Sequence, residues 1–298
     1  MRALITGATG LLGRKLLPKV DSAVVLTRDT GRMHRDLGSV EAYAWDPETG
    51  PAPREALRGV DVVFNLLGEP VAGRWTKEKK RRIADSRAIG TRNLVAALET
   101  APVRPRVLVS ASAVGYYGDA GDTVLDEEAL PGRDFMAEVA VQWEREALRA
   151  RTFGVRVVCL RIGIVLAQGG GALGAMLLPF RMGVGGPLAG GKQWMPWIHI
   201  DDVIGLMLHA KGNDAVVGAV NAVAPNPVTN AEFARALGHA VHRPAILPVP
   251  KLALQVAFGE MSQVLFASIR AVPRAALRSG YTFRYTDLGE ALAATVGT

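Results

Sequence analysis

The sequence predicts an α/β fold: a Rossmann-like, doubly wound parallel sheet followed by a smaller C-terminal substrate lobe. Short β-branched runs alternate with longer amphipathic stretches through the first half of the chain, as in repeated βαβ units. Several runs are apolar at consecutive positions, such as Val62, Val63 and Phe64, which is typical of parallel strands covered on both faces. A glycine-rich turn stands between the first strand and the first helix, where such folds bind ligands.

The elements of this sheet follow one another in order. We expect strands at residues 2–6, 23–27, 41–44, 60–65, 106–110 and 155–161, because these are the β-branched, apolar runs. Helical periodicity between them predicts helices at residues 11–19, 76–99 and 134–152. Ligands of such a sheet bind at the carboxyl ends of its strands.

The sequence becomes rich in glycine after about residue 165. Beyond this point we expect a helix at 201–210, a late strand at 216–222, and a helix at 229–240 with a capping box from Thr229 and Glu232. The predicted dinucleotide-binding domain therefore covers residues 1–165 and is completed by about residues 200–225. Residues 166–298 would form the substrate lobe and a C-terminal extension, with no clean linker between the two.

The composition excludes several classes of protein. The chain has 298 residues and is 49% hydrophobic, so it can bury a full core without disulfides or structural metals. The single cysteine, Cys159, excludes an internal disulfide framework and a cysteine-based zinc site, and it fits a reducing cytosol. No apolar run reaches the roughly 18 residues of a membrane span, and residues 1–6 leave no room for a signal peptide. The histidines are not spaced as metal ligands, so we expect no metal site. The cysteine usage and the lack of a membrane span lead us to expect a cytoplasmic protein.

The net charge of +7 raises the question of nucleic acid or an anionic membrane as partner. The charges are spread along the chain, however, and the densest cluster, at residues 77–82, has no interleaved aromatic residues for base stacking. We interpret this cluster as a solvated helix face. We therefore expect neither nucleic acid nor membrane as a partner.

The most specific local motif is the turn Gly7-Ala8-Thr9-Gly10-Leu11-Leu12-Gly13, which follows a strand and opens a helix. Gly7 allows a sharp turn, Gly10 leaves room for a diphosphate, and Gly13 allows close packing of helix against strand. The first amides of the helix are free to bind phosphate oxygens. We expect this turn to bind a dinucleotide, with contacts from Gly7, Thr9, Gly10, Leu11, Leu12 and Gly13; the alternative is a tight turn without a ligand.

The end of the second strand bears on which dinucleotide binds. A carboxylate there accepts from the ribose 2′-hydroxyl of NAD, whereas an arginine pairs with the 2′-phosphate of NADP. The sequence continues Thr27-Arg28-Asp29, with Arg32 close behind. A guanidinium suits a phosphate dianion better than a hydroxyl, so Arg28 favours NADP(H), while Asp29 leaves NAD open.

Further motifs occur at intervals along the chain, and with them it resembles the extended short-chain dehydrogenase/reductases, the NAD(P)-dependent epimerase/dehydratase group. Several segments point more closely to the atypical branch labelled "epimerase family protein", whose members bind NADP(H) and whose substrates are largely undefined. The motifs that carry the wider resemblance are Gly7–Gly13, residues 61–68, residues 90–94, residues 110–112, Tyr117-Gly118, Leu160-Arg161 and residues 198–202. The segments that point to the atypical branch are residues 73–76, Trp143-Glu144, residues 193–199, and the tail from residues 272–274 to 280–283.

The resemblance implies cofactor contacts beyond the glycine turn and Arg28. It assigns them to the ends of later strands and to one helix position, where Arg87 replaces the family's asparagine three residues before Gly90. The remaining cofactor positions that it implies are Asp46, Leu66, Leu67, Gly68, Ser110, Arg161 and Gly163.

The family's catalytic dyad is missing from this chain. Ordinary members use Tyr-x-x-x-Lys on a helix, in which the tyrosine exchanges the substrate proton and the lysine lowers its pKa. With Glu144 as the reference position, the dyad maps onto Met136 and Ala140, neither of which can move a proton. A standard Tyr/Lys mechanism is therefore excluded.

Other residues could replace the missing acid. We expect Ser112 to hydrogen-bond a substrate carbonyl and Tyr116 or Tyr117 to supply the proton, its pKa lowered by Arg87 or Arg161. The alternative is that Tyr117 packs structurally. His199 is the other titratable candidate, and the alternative is a structural histidine satisfied by local hydrogen bonds. We expect Asp201 to cap the helix that follows.

Three tryptophans stand out in a chain that is only 6% aromatic. Trp75, Trp194 and Trp197 fall in predicted loops near the cofactor edge, so we expect an apolar, ring-stacking wall for a substrate. Core packing is the alternative for each of them. Arg74 and Lys192 lie beside them and could attract an anionic substrate or simply be solvated.

Taken together, the residues predict an NADP(H)-binding protein that transfers hydride to or from a small carbonyl or alcohol. The substrate's identity and the direction of reaction stay open. The alternative is a catalytically degenerate NADP(H)-binding sensor or scaffold, which the loss of the dyad favours. Members of the resembled family commonly form homodimers through helices such as 76–99 and 134–152, and whether this chain does so stays open.

Overall fold

A computed structural model describes residues 1–296 of the chain, and strands and helices alternate through its first half. The strands are β1 (Arg2–Thr6), β2 (Ser22–Thr27), β3 (Glu41–Ala44), β4 (Val62–Asn65), β5 (Val107–Ala113), β6 (Val124–Leu125), β7 (Arg156–Ile162), β8 (Ile164–Leu166), β9 (Trp194–Met195), β10 (Trp197–His199), β11 (Gly218–Ala222), β12 (Val228–Thr229) and β13 (Arg270–Ala271). The α-helices are α1 (Leu11–Leu16), α2 (Thr30–Leu37), α3 (Lys77–Glu99), α4 (Phe135–Leu148), α5 (Gly171–Arg181), α6 (Ile200–Gly212), α7 (Asn230–Ala240), α8 (Lys251–Phe258), α9 (Ser262–Phe266), α10 (Arg274–Arg278) and α11 (Leu288–Val296).

The central sheet is parallel throughout, with the strand order β11-β7-β5-β4-β1-β2-β3. β1 pairs with β2 on one side and with β4 on the other, so the order of the strands reverses at β1. In doubly wound sheets this reversal opens a crevice at the carboxyl ends of the strands. The fold class predicted from the apolar runs is thereby confirmed.

Helices cover both faces of the sheet, which is why its inner strands are apolar on consecutive residues. On one face α1, α2 and α6 bury Leu16, Met33 and Val203. On the other face α3 and α4 bury Leu94 and Ala147. Every residue of β4 is buried as a result.

The second half of the chain adds a lobe at the carboxyl ends of β5 and β7. Its core lies between α5, α7 and α11 and includes Phe180, Trp197 and Phe233. β8 follows β7 after the single residue Gly163 and pairs with β10, while β9 pairs with β12. The lobe therefore begins where the sheet strand ends, and its first residues stand beside the crevice.

Most of the predicted elements are present with small changes at their ends. α1 is shorter than predicted because the segment from Leu17 to Lys19, which contains Pro18, continues as a 3₁₀ turn. Thr76 and Asp134 cap α3 and α4 through their side chains. Thr229 and Glu232 form the predicted capping box of α7.

Several elements do not follow from the sequence pattern. α2 is rich in charge and buries only Met33, so it lacks the broad apolar stripe that predicts a helix.

The predicted cap at Asp201 is wrong, because the Nδ1 atom of His199 accepts a hydrogen bond from the Asp201 amide and caps α6. No helix within residues 1–296 is long and apolar enough to cross a membrane.

Candidate functional site

The glycine turn is as tight as its sequence requires. Gly7 has φ +65°, and a Cβ there would lie 2.5 Å from the carbonyl oxygen of Leu66 at the end of β4. A Cβ on Gly13 would lie 2.5 Å from the Ala8 Cα atom. At Gly10 a Cβ would approach only the Gly7 carbonyl oxygen, at 3.2 Å, and the Gly10 amide donates to that same oxygen. The turn is thus open at Gly10. It is closed at Gly7 against the end of β4 and at Gly13 against the backbone of Ala8, as a diphosphate site needs.

The end of β2 separates the roles of Arg28 and Asp29. The Asp29 carboxylate accepts from the Arg32 amide at 2.8 Å and caps α2. Arg28 is exposed at the same strand end. Arg32 is also exposed, with its Nε 3.8 Å from the Asp36 carboxylate. One Asp29 oxygen is therefore engaged by a helix cap, whereas the Arg28 guanidinium faces solvent.

The residues that follow the later strands offer the crevice mainly backbone atoms, together with the half-buried guanidinium of Arg87. Leu66, Leu67 and Gly68 follow β4 directly, and a Cβ on Gly68 would lie 3.0 Å from Nη2 of Arg87. The Arg87 guanidinium donates to the Glu69 and Ile83 carbonyls at 3.0 Å. Burial lowers the pKa of Arg87 to about 10, partly offset by the Glu69 carboxylate.

Asp46 lies beyond β3 and is exposed. One of its carboxylate oxygens accepts from the Glu48 amide at 3.1 Å, in a turn that also binds the Thr49 hydroxyl. It lies at the same strand edge as Arg28, but its carboxylate takes part in local turn structure.

A buried polar cluster ties the ends of β1 and β4 to the middle of β5 and to α3, and sequence reasoning missed most of it. The Asn65 side chain donates to Thr91 at 2.9 Å and to the Ser110 hydroxyl at 3.1 Å. Thr6 donates to Asn65 at 3.0 Å and accepts from the Leu66 amide at 2.9 Å. Ser110 therefore fixes the edge of the sheet from within rather than presenting a free hydroxyl. Polar residues at the last position of apolar strands were the available signal.

A second buried network occupies the place where the proton relay was expected. Ser112 donates to the Glu144 carboxylate at 2.7 Å, and Arg161 forms a two-pronged pair with the same carboxylate at 2.8 and 2.9 Å. All three residues are buried. Although burial lowers the pKa of Arg161, the Glu144 carboxylate outweighs that effect and holds this pKa above its ordinary value. Ser112 and Arg161 thus share one partner, the Glu144 carboxylate, in the interior of the protein.

Both tyrosine rings pack beside the Arg161 guanidinium and contact each other edge to face, with 5.3 Å between ring centres. The Tyr117 hydroxyl donates to Asn221 at 2.6 Å and accepts from Arg161 at 3.0 Å. Burial raises the pKa of Tyr117 to about 12 even though Arg161 works against it, so the expected lowering is wrong for this residue. The Arg161 guanidinium stacks 3.4 Å from the centre of the Tyr116 ring. Arg87 contacts neither tyrosine, because its guanidinium lies over Trp143.

His199 is buried at the start of α6, away from the other predicted catalytic residues. Besides capping the helix, its ring stacks on Tyr285, with 4.0 Å between ring centres. Burial lowers the pKa of His199, against the nearby carboxylates of Asp201 and Asp202. The geometry favours the local, structural interpretation of this histidine.

An apolar cavity of about 300 Å³ opens at the carboxyl ends of β5 and β7. Segments from the sheet, from α4 and α5, and from the second lobe line it, and nearly all the side chains are apolar. Its polar side chains are Asp134, Gln193, Asn230 and Gln263. The apolar and glycine positions that line it include Val71, Trp75, Ala113, Val114, Gly115, Phe135, Met136, Ile162, Gly163, Met176, Trp194, Val264, Leu265, Ala267 and Ile269.

The two positions onto which the sequence maps the family's dyad lie on α4. Met136 lines the cavity, and Ala140, one turn later, is buried at 3% exposure. A thioether and a methyl group stand at these two positions, and neither can exchange a proton.

Two of the three tryptophans line this cavity. Trp75 contacts Phe135 edge to face, and the Trp194 indole N–H donates to Asp122 at 2.8 Å. Trp197 is a correction: it is 1% exposed, donates to the Asn226 carbonyl and packs in the core of the second lobe. Trp197 is the first residue of β10, and its side chain lies in the lobe's core rather than in the cavity. Within residues 1–296 no three His, Cys, Asp or Glu side chains are grouped to hold a metal ion.

Comparison with known families agrees with this architecture. Residues 3–222 match the NAD dependent epimerase/dehydratase family. The chain belongs to this family. Residues 249–295, from the end of the second lobe's loop through α8 to α11, match a domain of unknown function, DUF1731.

The relatives divide into close ones and distant ones. An Arabidopsis thaliana protein, "Epimerase family protein SDR39U1 homolog, chloroplastic", is 38% identical over 99% of this chain and 86% of its own length. The crystal structure of human epimerase family protein SDR39U1 (isoform 2) with NADPH superposes with a TM-score of 0.89, at 34% identity and full coverage of both chains. MoeE5 in complex with UDP-glucuronic acid and NAD shares only the fold, with a TM-score of 0.79 at 22% identity over 100% of this chain and 98% of that one. This chain is therefore an SDR39U1-like member of the family.

Proposed function

We propose that this protein is an NADP(H)-dependent oxidoreductase that acts on a small carbonyl or alcohol without the family's Tyr/Lys dyad. The observation that carries the proposal is the apolar cavity at the carboxyl ends of β5 and β7, beside the crevice that begins at the glycine turn. A protein that only bound a dinucleotide would have no need of a further cavity at this end of the sheet.

The residues of the first βα unit fit a dinucleotide. The space above Gly10 and the closed contacts of Gly7 and Gly13 leave the amides at the start of α1 facing outward, and helix N-termini favour phosphate groups. The loop that follows β4, residues 66–68, and Gly163 after β7 would line the rest of the crevice. The crystal structure of the human relative contains NADPH, which supports a nicotinamide dinucleotide as the ligand of this chain.

NADP(H) is the coenzyme that we infer, for a reason that sequence alone left open. Asp29 competes for the adenosine ribose only if its carboxylate is available, and one of its oxygens is already bound to the Arg32 amide. Arg28 remains exposed at that position and can pair with a 2′-phosphate.

In the proposed reaction the nicotinamide supplies or receives a hydride, and the chain's own residues do the rest. Met136 and the walls of the cavity exclude water and hold an apolar substrate. Ser112 and Tyr117 are engaged with Glu144 and Asn221, so they are poor proton donors in this arrangement. Of the four predicted catalytic residues, only the Tyr116 hydroxyl forms no hydrogen bond within residues 1–296, but Tyr116 packs on Arg161 and is not among the residues that line the cavity.

A specific observation supports a second candidate, an NADP(H)-binding sensor or scaffold without catalysis. Met136 and Ala140 offer neither function of the dyad, and the one acidic side chain that lines the described part of the cavity, Asp134, caps α4. Stopped-flow oxidation of bound NADPH across a panel of aldehydes and ketones separates the two candidates: turnover with any of them supports the oxidoreductase, and NADPH binding without turnover supports the sensor.

The decisive test of the coenzyme is the Arg28→Ala variant. Loss of a guanidinium–phosphate pair should weaken NADPH binding about 10- to 100-fold and change the Kd of NADH less than about twofold. Arg32→Ala is the matched control, with an expected smaller effect because its guanidinium faces Asp36. If the unmodified protein binds neither coenzyme at millimolar concentration, the proposal is wrong.

Location and assembly remain predictions. We infer a reducing, cytosolic compartment because the only cysteine, Cys159, is buried and unpaired, and burial raises the pKa of its thiol. We propose a homodimer through α3 and α4, which light scattering tests. We also expect that nucleic acid is not a partner, and a salt titration with duplex DNA tests that.

A further inference from the structure

A second cavity adjoins the apolar one. Its volume is about 330 Å³, and the residues that line it include Lys192, Lys251, Asp119 and Asp122. Gln193 lines both cavities, so they meet at this side chain. The segment 264–269 forms the other part of the shared wall: Val264, Leu265, Ala267 and Ile269 face the apolar cavity, and Phe266 and Ser268 face the second one.

The charges of this second cavity are arranged unequally. Asp119 accepts from the Gly121 and Ser268 amides at 3.3 and 3.1 Å, and Asp122 accepts from the Trp194 indole at 2.8 Å. Lys192 and Lys251 are exposed, and neither forms an ion pair with a carboxylate of the described chain. The Lys251 ammonium lies only against the Phe266 ring, 5.0 Å from its centre. The two carboxylates thus accept hydrogen bonds from internal, uncharged donors, whereas neither ammonium group has a carboxylate partner within the described residues.

The apolar cavity is correspondingly poor in free hydrogen-bonding groups. Asn230 accepts from the Leu188 amide at 2.7 Å, and Asp134 accepts from the Ala137 amide at 2.9 Å. Gln193 donates to the Leu188 and Leu265 carbonyls at 3.2 Å. A sugar ring in this cavity would lose its hydrogen bonds to water and regain few, which is unfavourable. An apolar ring or chain would lose nothing on entering.

We propose that the two cavities together bind one amphipathic anion: an apolar ring or chain in the cavity between Trp75 and Trp194, and a carboxylate or phosphate head between Lys192 and Lys251. This deepens the proposed function, on which it rests, by naming the class of substrate. Trp194 connects the two parts, because its ring lines the first cavity while its N–H holds Asp122 of the second. The volume of the apolar part lies at the lower end of the range for sites that hold drug-sized ligands.

Calorimetric titration with a homologous series tests the body of the ligand. Hexanoate, octanoate and decanoate should bind the full-length protein with a Kd that falls about fourfold per added methylene until the cavity is full. Decanol should bind about threefold to tenfold more weakly than decanoate, since it lacks the charge. Decyl phosphate distinguishes the two head groups: tighter binding than decanoate assigns a phosphate, and weaker binding assigns a carboxylate.

Variants test the head and the body separately. Lys192→Gln combined with Lys251→Gln should weaken decanoate about tenfold and leave decanol within about twofold. Lys19→Gln, an exposed lysine of the first βα unit, is the matched control and should change neither. Ala267→Leu should weaken decanoate by about tenfold or more by filling the apolar cavity, and Ala172→Leu at its exposed wall repeats the test should the first variant not fold.

The outcomes are distinguishable from failure of the proposed function, because NADPH binding is measured separately through the coenzyme's own fluorescence. If NADPH binds but the alkyl anions do not, or decanol binds as tightly as decanoate, this inference is overturned and the coenzyme assignment stands. Tighter binding of UDP-glucuronic acid than of any alkyl anion also overturns it. If the alkyl anions bind as described and NADPH does not, the oxidoreductase is refuted while the amphipathic site remains.

Discussion

Two regions at the same edge of the sheet have been constrained in different ways. At the β1–α1 turn, the backbone itself requires glycine, because a Cβ at Gly7 or Gly13 would lie 2.5 Å from backbone atoms. At the β5–α4 region, the family positions that carry proton transfer depend only on side chains, and here they are Met136 and Ala140. Coenzyme binding is therefore tied to the fold, whereas the acid can be exchanged without changing the fold.

The second region has gained a different kind of order. Four side chains there form one buried hydrogen-bond network: Ser112, Glu144, Arg161 and Tyr117. Their polar atoms therefore face one another instead of a substrate. Two buried charges are unfavourable unless they are paired with good geometry, and here both oxygens of Glu144 are paired with Arg161. This network joins β5, α4 and β7 through a buried hydrogen bond and a buried ion pair.

The largest expected effect concerns that network. Glu144→Ala leaves the Arg161 charge buried with its side chain only 5% exposed, and we expect it to lower the free energy of unfolding by about 3–5 kcal/mol. Urea denaturation followed by circular dichroism measures it.

Glu146 on the same helix is the matched control. It is equally buried, but its partners Arg92 and Arg149 are about half exposed, at 49% and 50%, and can be solvated when it is removed. Glu146→Ala should therefore lower the free energy of unfolding by at most about 1 kcal/mol more than an alanine substitution at an exposed position does. Equal losses from the two variants would show that Glu144 does not hold a buried charge.

The next effect tests the turn. Gly13→Ala should lower the free energy of unfolding by about 1–3 kcal/mol, because its methyl group would meet the backbone of Ala8. Gly10→Ala has space on all sides except at the Gly7 oxygen, so the fold should keep its stability within about 0.5 kcal/mol. The same variant should still weaken NADPH binding about tenfold, as measured by calorimetry, since the methyl group enters the diphosphate space. Unchanged NADPH binding by Gly10→Ala would separate the turn from the coenzyme.

A smaller effect distinguishes a structural network from a proton relay. Ser112→Ala and Tyr117→Phe each remove one buried hydrogen-bond donor, so each should lower the free energy of unfolding by about 1–2 kcal/mol. Once a substrate is known, the rate of NADPH oxidation at saturating substrate should fall less than about threefold in either variant. A loss of about 100-fold or more without loss of stability would restore these residues as the relay.

The sequence predicted the sheet well because its signals are local. Parallel strands covered on both faces are apolar runs, and glycines at Gly7, Gly10 and Gly13 state a steric requirement directly. Counting from Glu144 maps the dyad onto Met136 and Ala140, which stays a prediction; in the structure Met136 lines the cavity.

What the sequence could not supply are contacts between distant segments. Trp197 and Trp194 are three residues apart, yet Trp197 is in the core and Trp194 lines the cavity, and no local pattern distinguishes them. The pairing of Ser112 with Glu144 joins residues 32 apart, and no periodicity predicts it. The short helices α8 to α10 each bury one or two side chains, so their apolar pattern is too weak to see.

The smallest effect concerns His199, and its sign follows from its cap. Nδ1 must be unprotonated to accept the Asp201 amide, and burial holds the pKa of His199 below its ordinary 6.5. The unfolded chain then binds more protons than the folded one below about pH 6.5, so this contribution to stability is present at neutral pH and lost as the pH falls. His199→Asn keeps an acceptor at the cap without titrating. Between pH 7.5 and pH 5, we expect stability to fall up to about 1 kcal/mol more in the unmodified protein than in the variant, by urea midpoints. Parallel pH profiles would show that protonation of His199 does not disturb α6, and the histidine would again be a candidate acid.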